Sequence, residues 1–226
     1  MRDVSLISSA EAARRLGVHP SRMRALADRG ELGARKLANR WFFLRDAVER
    51  RADDKRPGGR PYDPGNAWAL LLRHSGERSA PVSKSIDRRL EARSRKPLGL
   101  LLPRLRRRAE VRYYFGPEFA VQELVRRPDF VASGASASRA YAIDIKAPGV
   151  IDGYMPKRKA EEVAYRYALQ QSSERQANVV LRAIDGYWPL AGRSVAPIAA
   201  VAADLVESVD QRSQRAGRQL MRRLPS

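Results

Sequence analysis

Apolar positions along the chain recur at two spacings, and the changes from one to the other mark out the elements. In the opening stretch Ala12, Ala13 and Leu16 are spaced as one face of a helix. Ser8-Ser9-Ala10-Glu11, just ahead of them, has the composition of a capping box, with Ser8 as the cap and Glu11 reaching back. Gly17 is placed to stop that helix, because glycine takes up a left-handed conformation at little cost. Val18 is placed to bury in the turn, and His19-Pro20-Ser21 restarts the chain, with His19 or Ser21 near the next N-terminus. Met23, Leu26 and Ala27 then repeat the helical spacing as far as Gly30. Short strands are predicted at 34–37 and 41–44, joined by a tip of Ala38-Asn39-Arg40, with a closing helix over 45–51. Helix, tight turn, helix and a two-stranded wing form the predicted order.

Beyond this head, the polar, Pro- and Gly-rich stretch around 53–61 reads as a linker. Helical character resumes at 67–73, at 83–95 with Ile86 and Leu90 as the apolar positions, and at 98–108 on either side of Pro103. Residues 109–115 alternate like a strand. The small residues of 132–137 predict the start of a tightly packed helix, 141–145 a strand, and Ala147-Pro148-Gly149 a turn. A helix over 159–169, a β-branched strand over 178–184, an apolar helix over 196–205 and a basic final helix over 210–223 complete the chain. The expected fold class is α+β: an N-terminal winged helix-turn-helix (1–52), a linker (53–64), a second small basic helical or winged unit (65–115) and a mixed α/β C-terminal domain (116–226).

Composition allows cores of this size, with 43% hydrophobic and 31% charged residues in 226. Without cysteine, disulfides and thiolate metal sites are excluded, and two histidines, His19 and His74, argue against a histidine-rich metal site. No apolar run is long enough to span a bilayer and no secretory signal is visible, so the expectation is a cytoplasmic protein that needs no membrane, metal or cofactor. The net charge of +19 attracts polyanions, of which nucleic acid is the commonest. That charge is uneven: 15 basic against 8 acidic residues in 1–60, 13 against 5 in 61–112, and 16 against 12 in 113–226. The asymmetry suggests nucleic-acid contact in the first half and another task in the second. The cluster Arg106-Arg107-Arg108 reads equally as a second nucleic-acid contact or as a solvated helix end.

The head resembles the MerR and excisionase-like helix-turn-helix families through residues 9–18, Arg29-Gly30-Glu31-Leu32, Arg40-Trp41-Phe42-Phe43 and Asp46-Ala47-Val48. The resemblance implies a second helix in the major groove of double-stranded DNA and a wing on the phosphates. Arg22 and Arg24 would then read bases or phosphates, and Arg14, Arg15, Lys36 and Arg40 would contact phosphates, with Ser21 and Asn39 completing the DNA-facing set.

Residues 64–226 loosely resemble the AbiEi-type antitoxins, encoded beside nucleotidyltransferase toxins. The resemblance rests on residues 133–137, 147–154, 178–182, 195–197, 203–208 and 210–213, taken in that order. It implies an autoregulatory antitoxin that represses its own promoter and counteracts a nucleotidyltransferase-type toxin, with no catalytic residues of its own. A free-standing transcription factor or excisionase-like architectural protein is the alternative. An enzymatic alternative is a PD-(D/E)xK-type Mg²⁺-dependent nuclease, from Pro128-Asp129 and Asp144-Ile145-Lys146, where strand alternation would put Asp144 and Lys146 on one face. That motif is short and tolerant of spacing, and a surface charge pair explains it as well.

Overall fold

The computed structural model describes residues 6–28, 32, 34–45, 48, 60–77, 84–145 and 147–225. The chain forms two compact units, Met1–Gly59 and Arg60–Ser226, and the fold is mixed α+β. The division falls inside the expected linker, whose residues 53–59 lie outside the described ones.

The first unit opens on a strand the helical pattern did not predict, β1 (Leu6–Ser8). It leads directly into α1 (Ser9–Leu16), where the Ser8 side chain accepts the Glu11 amide at 3.2 Å. The Glu11 carboxylate turns forward to Arg15 (2.8 Å) instead of back to the cap, so half of the capping box forms. Gly17, at φ 58°, closes α1 with its amide on Arg14 O at 3.1 Å, and the Val18 amide reaches Ala13 O at 3.0 Å. Then α2 (Pro20–Asp28) starts on a proline, whose missing N–H costs nothing in a first turn. The strands β2 (Ala34–Leu37) and β3 (Arg40–Leu44) form a hairpin, and β1 adds to β3 to give an antiparallel sheet of order β1-β3-β2. Ala38 (φ 43°) and Asn39 (φ 61°) make its two-residue turn, with both positive φ values that a primed hairpin turn requires. Ile7, Ala12, Leu16, Met23, Leu26 and Phe43 pack together beneath the helices. The predicted closing helix lies largely outside the described residues.

The second unit does not divide near residue 115 as expected. Its elements are α3 (Pro64–His74), α4 (Lys84–Ser94), α5 (Leu98–Leu105) with a 3-10 turn over Arg106–Arg108, β4 (Glu110–Phe115), α6 (Glu118–Val125), β5 (Val131–Ala132), β6 (Ile151–Pro156), α7 (Lys157–Arg166), β7 (Gln170–Gln171), β8 (Val179–Ile184), α8 (Ile198–Glu207) and α9 (Gln211–Met221). The strands form one sheet of order β5-β6-β8-β4-β7. β4, expected to belong to a separate basic unit, pairs antiparallel with β8 from Glu110↔Ala183 to Tyr114↔Val179, so residues 65–115 share a core with the C-terminal half of the chain.

Other expectations are corrected locally. The small residues at 132–137 form the end of β5 and a 3-10 turn over Gly134–Ala137, not the start of an α-helix. Residues 141–145 are irregular: Ala142 sits at φ 51°, and the Tyr141 hydroxyl donates to Ala196 O at 2.6 Å. Tyr141, Ile143 and Ile145 do pack on the core, which explains their alternation without a strand. β6 is not visible in the sequence pattern because Gly153 and Pro156 dilute it. Gly153 is required there, since a Cβ would stand 2.6 Å from Val131 O.

Apolar residues pack against both faces of the sheet. On one side Leu124, Phe130 and Val163 meet Met155 and Leu181; on the other Trp68, Leu71 and the alanine-rich α8 meet Tyr154 and Ile184. β8 is buried at all six positions, including Arg182. That guanidinium holds Asp152 through two hydrogen bonds (2.7 and 2.9 Å) and reaches Asp204 at 3.2 Å. Arg108 approaches Asp204 at 2.7 Å and also bonds Glu207. The Tyr154 hydroxyl donates to Asp204 at 2.9 Å, and the Ser133 hydroxyl donates to the same carboxylate. Burial pushes the Asp204 carboxyl up, but Arg182, Arg108 and the Ser133 hydrogen bond more than offset it, so it stays below its ordinary range. Of the Arg106–Arg108 cluster, Arg108 is therefore an interior residue. Among the described residues, no helix is long and apolar enough to cross a membrane.

Candidate DNA interface

The exposed side of α2 is set by what its other side buries. Met23, Leu26 and Ala27 face the core, which at 3.6 residues per turn leaves Ser21 and Ala25 in the middle of the outer side and Arg22 and Arg24 on its two edges. Ser21, Arg22 and Arg24 are exposed. Small residues along the centre let a helix approach closely, and an arginine at each edge gives a reach to either side. His19 prepares the start of this helix: its Nδ1 accepts the Ser21 amide at 3.4 Å and lies 2.9 Å from Ser21 Oγ. The Ser21 hydroxyl thus faces the cap of its own helix, and His19 acts as the capping residue.

The hairpin carries Lys36, Asn39 and Arg40, all exposed. Its register pairs Lys36 with Trp41 and Leu37 with Arg40. Opposed residues share a face, so Lys36 and Arg40 point to opposite faces of the hairpin and cannot serve one phosphate together. Asn39 sits in the turn itself, and Leu37 at the tip is 49% exposed. On α1, Arg14 and Arg15 are both exposed, but Arg15 directs part of its charge at Glu11 in an i,i+4 pair. All eight residues expected at DNA therefore lie on the surface of one unit, distributed over α1, α2 and the hairpin.

The segment that bears Asp144 of the nuclease alternative is irregular, not the strand expected there. Asp129 is held by Arg127 through two hydrogen bonds (2.8 and 2.7 Å), and Asp144 is exposed in the irregular 141–145 segment. Lys146 lies outside the described residues.

Two helices crossing at a glycine-closed turn, with a small antiparallel sheet, define a DNA-binding helix-turn-helix domain. Residues 6–56 match the family model described as a helix-turn-helix domain, so this unit carries the DNA-binding function of the chain. The chain matches no curated protein and no solved structure.

Proposed function

We propose that the protein is a sequence-specific transcriptional regulator and the autoregulatory antitoxin of a pair whose toxin is a nucleotidyltransferase. The carrying observation is the outer side of α2, with small residues along its centre and an arginine at each edge. Arg22 and Arg24 read base edges, while Arg14, Arg15, Lys36 and Arg40 hold phosphates, with Ser21 and Asn39 beside them. The antitoxin assignment draws on the antitoxin-like stretches of the second unit and their order. Supporting it, members of four of those stretches (Ser133, Asp152, Arg182 and Asp204) are joined in a single buried network.

The test is binding to the promoter of the protein's own operon. Arg24→Ala is expected to weaken operator affinity by about 1–3 kcal/mol and to relax base preference at one position. Operator affinity equal to wild type in both Arg22→Ala and Arg24→Ala overturns the base-reading role. Co-purification with the product of a neighbouring nucleotidyltransferase gene, and loss of that toxin's effect on growth, test the antitoxin role; a neighbourhood without such a gene removes it.

A further inference from the structure

The three consecutive arginines at 106–108 part company in the structure. Arg108 is interior, whereas Arg107 is exposed and follows, by one turn of chain, a residue of a cation group on the second unit, Arg104. Tyr62, 5% exposed, lies at the centre of that group. The Arg104 guanidinium carbon stands 4.0 Å from the Tyr62 ring centroid and that of Arg93 5.1 Å. Arg104 Nε donates to Arg60 O at 3.1 Å and the Tyr62 amide donates to Arg104 O at 2.9 Å, which fixes the segment bearing Arg60 beside α5. Helical spacing adds Arg89, four residues before Arg93, and Arg107, three beyond Arg104; both are exposed.

Among the described residues, no carboxylate pairs with Arg60, Arg89, Arg93, Arg104 or Arg107. The acids of α4 are taken up by other cations: Asp87 by Arg73, and Glu91 by Arg95 at 3.9 Å. Two guanidinium groups on one ring stand within about 9 Å of each other. That separation is inside one Debye length, about 10 Å at 0.1 M salt, so they repel. Folding thus gathers like charges with no counter-charge among the described residues and holds Arg93 and Arg104 over the Tyr62 ring. Forks fixed in this way lose little freedom when they bind planar or tetrahedral oxyanions.

We propose that this face is a second DNA contact, gripping the phosphate backbone that flanks the site read by the helix-turn-helix; it rests on the DNA-binding reading above. The face supplies affinity and salt dependence without base preference, because guanidinium groups paired with phosphate oxygens carry no sequence information.

The experiment uses the full chain and fluorescence anisotropy on duplexes of about one and about three helical turns, both containing the operator, across a salt series. The charge-neutral double variant Arg89→Gln/Arg107→Gln changes only exposed side chains. It is expected to leave the short duplex unaffected and to weaken the long one on the order of tenfold at low salt. It should also lower the slope of log K against log salt on the long duplex by about 2, at roughly 0.9 per phosphate contact. Arg89→Lys/Arg107→Lys should restore the slope, and Arg93→Gln/Arg104→Gln should repeat the loss. An unchanged slope in the Gln variants overturns the proposal, as does an effect confined to RNA of the same length. The two readings fail separately. If Arg22→Ala/Arg24→Ala leaves operator preference intact while the Arg89/Arg107 variant loses binding, the base-reading role of Arg22 and Arg24 falls and this one stands. If only the head variant loses binding, this one falls.

Discussion

His74 shows at the scale of one residue how burial sets a proton's position. It ends α3 at 6% exposure, and its Nε2 has no hydrogen-bond partner among the described residues. Burial lowers its pKa below the ordinary 6.5, so the folded protein holds it neutral while the unfolded chain takes up a proton at that pH. The stability it permits is full above pH 6.5 and falls as pH drops through that value towards the lowered folded one. Urea midpoints are expected to decrease from pH 7.5 to pH 5 in the wild type and to change less in His74→Leu; parallel curves would remove His74 as the cause. In the sequence, His74 was merely one of two histidines, because burial depends on what folds over a helix and not on its own pattern. His19 was legible as a turn or capping residue from its place before Pro20, since a cap is a local arrangement.

At the scale of elements, the hairpin is the place where sequence and backbone geometry disagree. Ala38 adopts φ 43°, a left-handed conformation that crowds its Cβ. Glycine removes that crowding but adds freedom to the unfolded chain, and the two nearly offset. Ala38→Gly is therefore expected to stabilise the first unit by about 0.5 kcal/mol, read as a small rise in its Tm. A clear loss of stability would show that the turn is not of the primed type. The two helices were readable to within a residue or so, from Ser8, Gly17 and the spacing of Met23, Leu26 and Ala27. β1 was hidden because three residues cannot show a period, and only pairing with β3 defines it. α6 was likewise hidden in the sequence, although Ala120, Val121 and Leu124 are its buried face.

At the scale of the whole molecule, each unit has its own core and its own exposed cations. In the second unit Asp204 is the joint of the interior. One carboxylate receives Arg108, Arg182, Tyr154 and Ser133, which come from four separate parts of the chain. Removing one charge from a buried, fully hydrogen-bonded pair leaves its partners uncompensated. Asp204→Asn is expected to destabilise this unit by about 3–5 kcal/mol in urea unfolding, and a loss below about 1 kcal/mol would mean that water replaces the carboxylate. The excess of positive charge in the first half of the chain was plain in the sequence, but its meaning changed on folding: Arg108 turned inward to acids nearly a hundred positions away, while Arg93 and Arg104 met at Tyr62.

By itself the sequence determined what short-range physics controls: where α1 and α2 begin and end, the mixed α+β class, the helix-turn-helix head and the attraction to polyanions. Caps, periodicity and net charge act within a few residues or not through geometry at all. Tertiary structure alone decided that β4 belongs to the sheet of β6 and β8, that Asp204 binds two arginines, and which cations of the described residues stay at the surface. Those outcomes depend on segments far apart in the chain packing against one another, and no local pattern carries that information.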